Sequence, residues 1–128
     1  MLCPKCKKEM IVVERDRLEL DWCPFCKGFW FDHREWEILC QKLYMTRDVA
    51  PVDIYSVPKI NVNEETRICP ICNEKTEKFQ IYGVTLDRCK NKHGIWFDKG
   101  EISELLNKSQ RKTQGENSIN FMGEIFFK

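Results

Sequence analysis

Seven of the eight cysteines fall at spacings that suit a metal ion. Cys3 and Cys6 lie in CPKC, Cys23 and Cys26 in CPFC, and Cys69 and Cys72 in CPIC. Sixteen residues separate Cys6 from Cys23, and sixteen separate Cys72 from Cys89. Two close pairs about fifteen to twenty residues apart form the zinc pattern, because each pair occupies a tight turn that points both sulfurs inward. Cys89 has no cysteine three places on; Lys92 stands there, and His93 follows. An imidazole reaches farther from its backbone than a thiolate, so moving the ligand one place toward Gly94 accommodates it. The spacing predicts two zinc ions per chain, one on Cys3, Cys6, Cys23 and Cys26, the other on Cys69, Cys72, Cys89 and His93. The competing reading of His93 is a surface histidine beside a three-cysteine remnant.

The N-terminal MLCPKCKKEM lacks the apolar run of a signal peptide, and no stretch approaches a membrane span. The expected compartment is therefore the cytoplasm, where thiols stay reduced and cysteine pairs hold metals. Four protein ligands close a zinc tetrahedron and leave no position for a reactive water, so no enzyme activity is expected. CPFC also occurs as a redox dithiol, but such a motif should open a helix in a βαβ unit; here Gly28 and an aromatic run follow it. His33 reads as solvated, and Cys40 as a small core residue of a helix.

The ligands must be positioned by elements, and the chain writes those elements twice. A shift of 66 residues lays Cys3, Cys6 and Cys23 on Cys69, Cys72 and Cys89, and Gly28, Trp30, Phe31, Asp32 and Glu35 on Gly94, Trp96, Phe97, Asp98 and Glu101. Two units follow, over 1–43 and 68–108. In each, the segment between the cysteine pairs reads as two strands, turning near Glu14–Arg17 and near Tyr82–Gly83. The Trp-Phe pair reads as a short third strand packed on its own hairpin. Asp32 with Glu35, and Asp98 with Glu101, read as capping boxes. Trp36, Leu39, Cys40 and Leu43 then recur at helical spacing, as do Ile102, Leu105 and Leu106. The fold class is a small metal-stabilised α+β protein, two tandem ribbons of short antiparallel sheet, each followed by a short helix. Each unit of about forty residues is near the lower size for unaided folding, so metal is expected to be a folding requirement. Residues 44–67 read as a linker with one short extended piece, and 109–128 as a polar linker and an apolar tail.

With C-P-x-C, sixteen residues, C-P-x-C and G-x-W-F-D-x-x-E in view, the units resemble the bacterial transcription factor zinc-finger domains, which are similar to the zinc ribbon of transcription factor IIB. The resemblance implies a zinc ribbon with a following helix and the same ligands, and its pattern tolerates a histidine just before G-x-W-F-D. It also suggests a role in transcription, although shared fold does not establish shared function.

Charge gives nucleic acid no strong support. The chain carries a formal +1, and a four-thiolate and a three-thiolate zinc centre would bring it to about −2. Lys5, Lys7, Lys8, Arg88, Lys90 and Lys92 are expected to offset thiolate charge. Direct binding of nucleic acid, through an aromatic on a single strand, is the second reading. A protein partner is the first. Trp22 and Phe25 stand where the sister unit has Arg88 and Asn91, so the framework does not require them. With Phe29 they either pack between the units or form a contact surface. In the tail, Phe121, Met122, Ile125 and Phe126 are expected to dock on their own domain or on a second copy, leaving a monomer or a homodimer.

Overall fold

A computed structural model describes residues 1–15, 17–47 and 53–109. In the first unit, β1 (Ile11–Arg15) and β2 (Leu18–Trp22) form an antiparallel hairpin, followed by β3 (Phe29–Asp32) and α1 (His33–Arg47). The second unit repeats the order with β4 (Glu77–Ile81), β5 (Val84–Arg88), β6 (Gly94–Phe97) and α2 (Glu101–Ser109). Both hairpins turn where the sequence places them. Tyr82 and Gly83 both take left-handed backbone, the conformation that lets a two-residue turn follow the strands' twist.

The two ribbons are not separate beads. Their third strands pair antiparallel, joining everything into one six-stranded sheet of order β1-β2-β3-β6-β5-β4. In this pairing Trp30 faces Trp96, Phe29 faces Phe97, Phe31 faces Ile95 and Asp32 faces Gly94. Because Trp30 and Trp96 are themselves repeat partners, the pairing has the symmetry of a two-fold axis running between the two tryptophans. The glycine before each tryptophan exists for the other unit. A Cβ on Gly28 would lie 2.5 Å from Cη2 of Trp96 and 2.8 Å from the Phe97 carbonyl oxygen. A Cβ on Gly94 would lie 2.7 Å from Cζ2 of Trp30. Each indole thus occupies the space that a side chain on the opposite glycine would need.

Strand alternation splits the core between two faces. Phe29, Phe31, Ile95 and Phe97 join Leu18, Leu20, Phe79 and Leu86 in a cluster with Trp36 and Leu39 of α1 and Ile102 and Leu105 of α2. Trp30 and Trp96 point the other way, into a second cluster with the cysteines and Met10. The third strands are therefore buried on both faces. The expectation that Trp30 and Phe31 pack together on their own hairpin is corrected: they lie on opposite faces, and each unit completes the other's core.

The helices start differently. At α1 the capping box is complete: Asp32 Oδ1 accepts the Glu35 N–H at 2.7 Å, and Glu35 Oε1 accepts the Asp32 N–H at 2.9 Å. At α2 only Glu101 reaches back, accepting the Asp98 N–H at 2.8 Å. The Asp98 carboxylate instead accepts from Trp96 Nε1 at 2.8 Å and from the Arg67 guanidinium. Gly100, with φ of 88°, lets the chain enter α2 later, and its carbonyl accepts the Glu104 N–H. Side chains of Leu43 and Leu106 lie outside the described residues.

The segment after α1 lies against the second unit. Ile54 is buried, and Arg88 Nη1 donates to the carbonyls of Ile54 and Val57. Lys59 then pairs with Phe79 on the outer edge of β4, and Ile60 N–H donates to the Lys78 carbonyl. Among the described residues, the linker is bridged to the sheet at this point. Arg88 is corrected: it does not offset thiolate charge but holds this segment, with Glu77 as its ion-pair partner.

Candidate metal centres

Four turns carry the eight candidate ligands, and three are built alike. In each, the first cysteine's N–H donates to the carbonyl five residues on, as in Cys3 to Lys8, Cys23 to Gly28 and Cys69 to Glu74. Its carbonyl accepts the N–H four residues on, from Lys7, Lys27 and Asn73, and all three adopt left-handed backbone. The turn also aims backbone N–H groups at sulfur: Lys5 and Cys6 donate to Cys3 Sγ, Cys26 to Cys23 Sγ, and Ile71 to Cys69 Sγ.

The fourth turn explains the histidine. Cys89 N–H still donates to the carbonyl five residues on, at Gly94, so the turn spans the same length. Its carbonyl is now bonded by Lys92, three residues on, and Lys92 takes the left-handed conformation. Tightening the turn by one residue moves the left-handed position onto the place that Cys26 holds in the first unit. The next residue, His93, then faces the cysteines, with Nδ1 3.4 Å from Cys89 Sγ and 3.8 Å from Cys69 Sγ. The ring offers its nearer nitrogen, so backbone geometry moves the ligand, not the longer reach of imidazole.

The donor sets fit zinc. Sγ atoms of Cys3 and Cys26 are 3.5 Å apart, those of Cys6 and Cys23 3.4 Å, and those of Cys72 and Cys89 3.6 Å. In each group all four ligand atoms lie within 4.8 Å of one another. Zinc–sulfur bonds of about 2.3 Å give a tetrahedron edge of about 3.8 Å. None of the ligand cysteines forms a disulfide, and these separations are far beyond one. Without a cation, burial opposes ionisation of three of these thiols. Burial pushes Cys3 far up, Cys69 up to about 12, and Cys26 up as well. Cys23 resists its burial through N–H donors of Cys26 and Phe25 and neighbouring thiols, and falls to about 7. Cys72 falls to about 6 against a burial penalty, helped by the Glu74 backbone, the Asn91 amide, His93 and Cys89. A divalent ion favours the thiolate form of the sulfurs it binds.

The centres are neighbours. Their cysteines share one buried cluster with Trp30 and Trp96, and the Ile68 N–H donates to the Pro4 carbonyl across the units. One contributor went unread in the sequence: Asn91 Nδ2 donates to Glu74 Oε2 at 2.8 Å and approaches Cys72 Sγ at 3.6 Å. A polar residue inside a ligand turn was its only signal. Lys90 pairs with Glu74 beside the same centre.

The remaining candidates separate. His33 is exposed, pairs with Glu37, and touches the Tyr55 ring, far from any ligand role. Cys40 is partly buried against the core. Of the two readings of Phe29, packing between the units holds: it is 5% exposed, lies opposite Phe97 of the other unit, and forms no outward contact surface. Trp22 is half-buried, tilts against Phe29, and has the Lys27 ammonium over its ring. Phe25 alone of the three is open, at 60% exposure, with Lys8 Nζ 4.2 Å above its ring. Phe121, Met122, Ile125 and Phe126 lie outside the described residues. Among those described, no helix is long and apolar enough to cross a membrane.

In comparisons with curated proteins and with solved structures, nothing matches the chain. A family model described as "Transcription factor zinc-finger" matches twice, over residues 2–42 and 68–108. These spans coincide with the two ribbons and end within their helices. The chain therefore belongs to the transcription factor zinc-finger family, of which it carries two tandem copies.

Proposed function

We propose that both centres hold structural zinc, on Cys3, Cys6, Cys23 and Cys26 and on Cys69, Cys72, Cys89 and His93, and that the loaded protein is a protein-interaction module acting by binding and not by turnover in the cytoplasm. Zinc bound by four protein ligands supplies folding energy and closes its own coordination sphere. The observation that carries the binding role is Phe25. It projects into solvent from a ligand turn, and the turn does not need it, since the equivalent position is Asn91. An exposed aromatic on a rigid, metal-locked loop loses little entropy on docking and suits a partner's apolar pocket.

A second reading has its own observation: lysine ammonium groups lie over both Phe25 and Trp22. Ring faces beside cations can stack bases and meet phosphates on a single strand. The experiment compares Phe25→Ala with the parent, both loaded with zinc, in affinity capture from the native cell and in a salt titration against single-stranded DNA and RNA. Loss of a captured protein, with salt-insensitive or absent nucleic-acid binding, supports the interaction module. A binding constant that falls steeply with salt and is weakened by Phe25→Ala moves the role to nucleic acid. Equal capture by both proteins removes Phe25 from the account.

A further inference from the structure

The two-fold relation between the ribbons is also broken at the outer hairpins, and this break exposes a seat. In the second unit, residues 54–60 cover the helix-side face of the outer hairpin and the edge of β4. Beneath them Phe79 is fully buried and Arg88 is 5% exposed. The repeat places Val13 at the position of Phe79 and Trp22 at that of Arg88. Both are only half-buried, and Ile11 beside them is 49% exposed. Among the described residues, nothing pairs with the outer edge of β1 as Lys59 pairs with β4. The first unit therefore has an apolar face and a free strand edge where the second has the same features covered.

The covering segment is the chain that follows α1, and the chain that follows α2 is also apolar at the same distance, although no residue is identical and Ile54 and Val57 fall on Asn120 and Gly123. With the same shift of 66, DIYSVPKI at 53–60 falls on INFMGEIF at 119–126. Tyr55 falls on Phe121 and Ile60 on Phe126, while Ile119 stands one place from the counterpart of Ile54. We propose that residues 119–126 cover the first unit as 53–60 cover the second, laying Phe121 against Trp22 and Val13 and pairing along the outer edge of β1. Nine residues lie between Ser109 and Ile119, and extended they span about 30 Å, enough to cross to the other unit. The chemistry of the seat differs in the appropriate way. Arg88 grips the carbonyls of the 54–57 segment, whereas Trp22 offers an apolar ring, and the tail brings four large apolar side chains in place of that polar clamp. The occupant is the chain's own tail because tethering gives it a high effective concentration that a second copy lacks. Covering β1 also removes an open sheet edge, which is otherwise a template for unwanted pairing.

Hydrogen exchange of the full, zinc-loaded chain tests this. Amides of 119–126 should be protected, and those of β1 should exchange about tenfold faster in a Phe121→Ala, Phe126→Ala double variant. β4 should be unaffected, and the protection of β1 should not vary with protein concentration. The reciprocal variant Trp22→Ala should release the tail amides while leaving two zinc ions bound. Tail amides that exchange at the unstructured-chain rate in the parent would overturn the proposal whatever the variants do. Protection that grows with protein concentration would overturn it too, giving the seat to a second copy.

Discussion

Gly28→Ala tests how the two ribbons depend on each other. Position 28 has no left-handed backbone that would forbid alanine. In a ribbon standing alone, the change should therefore stabilise by up to about 1 kcal/mol, by restricting the unfolded chain. In the joined sheet the new methyl meets the indole of Trp96, with Cη2 at 2.5 Å, and the Phe97 carbonyl oxygen at 2.8 Å. Both obstacles belong to β6, which is held by β3 on one side and β5 on the other. Neither can move without shifting the central pairing, so the cost should lie near the top of the range for overpacking, about 3 kcal/mol. For a chain of this size that lowers the melting temperature by roughly 10 °C. Urea unfolding of the zinc-loaded protein measures it. Trp96→Phe removes Cζ2 and Cη2, the atoms in the way, so the double variant should recover at least about 1 kcal/mol relative to the sum of the singles. A destabilisation below about 1 kcal/mol, or strict additivity with Trp96→Phe, would refute the reciprocal packing.

The tryptophans, although repeat partners, should not be equivalent. Trp96 Nε1 donates to Asp98, whereas Trp30 Nε1 is buried and, among the described residues, without a partner, so Trp96→Phe should cost about 1 kcal/mol more than Trp30→Phe in the same unfolding assay. Glu101 gives a pH dependence: burial, with Asp98 and Asp87 nearby, pushes its carboxyl up to about 8. The folded chain keeps a proton that the unfolded chain releases, so this contribution is complete below the ordinary carboxylate range and is lost as pH rises through about 8. Between about pH 6 and about pH 9, at saturating zinc, wild type should lose stability relative to Glu101→Gln; parallel profiles would contradict the assignment.

Much of this protein is readable without coordinates. Cysteine spacing, the 66-residue repeat and the alternation of Leu18 and Leu20 with Glu19 and Asp21 specify ligand turns, hairpins and helices, because each depends on contacts a few residues apart. The shared sheet depends on a contact between units, and a repeat read in register looks the same whether its copies touch or not. That is why Phe29 stayed open between packing of the units and a contact surface, and why Arg88 passed for a counter-charge: the groups that bury them, Phe97 and Ile54 among others, come from the other half of the chain or from the segment between. The shift to His93 was legible as a fact, but its cause, a turn tightened at Lys92, is a property of backbone angles. The motif's glycine is the sharpest case. Its place beside the tryptophan is plain in one dimension, while the need for it arises in three, where each unit's indole fills the gap left by the other's missing side chain.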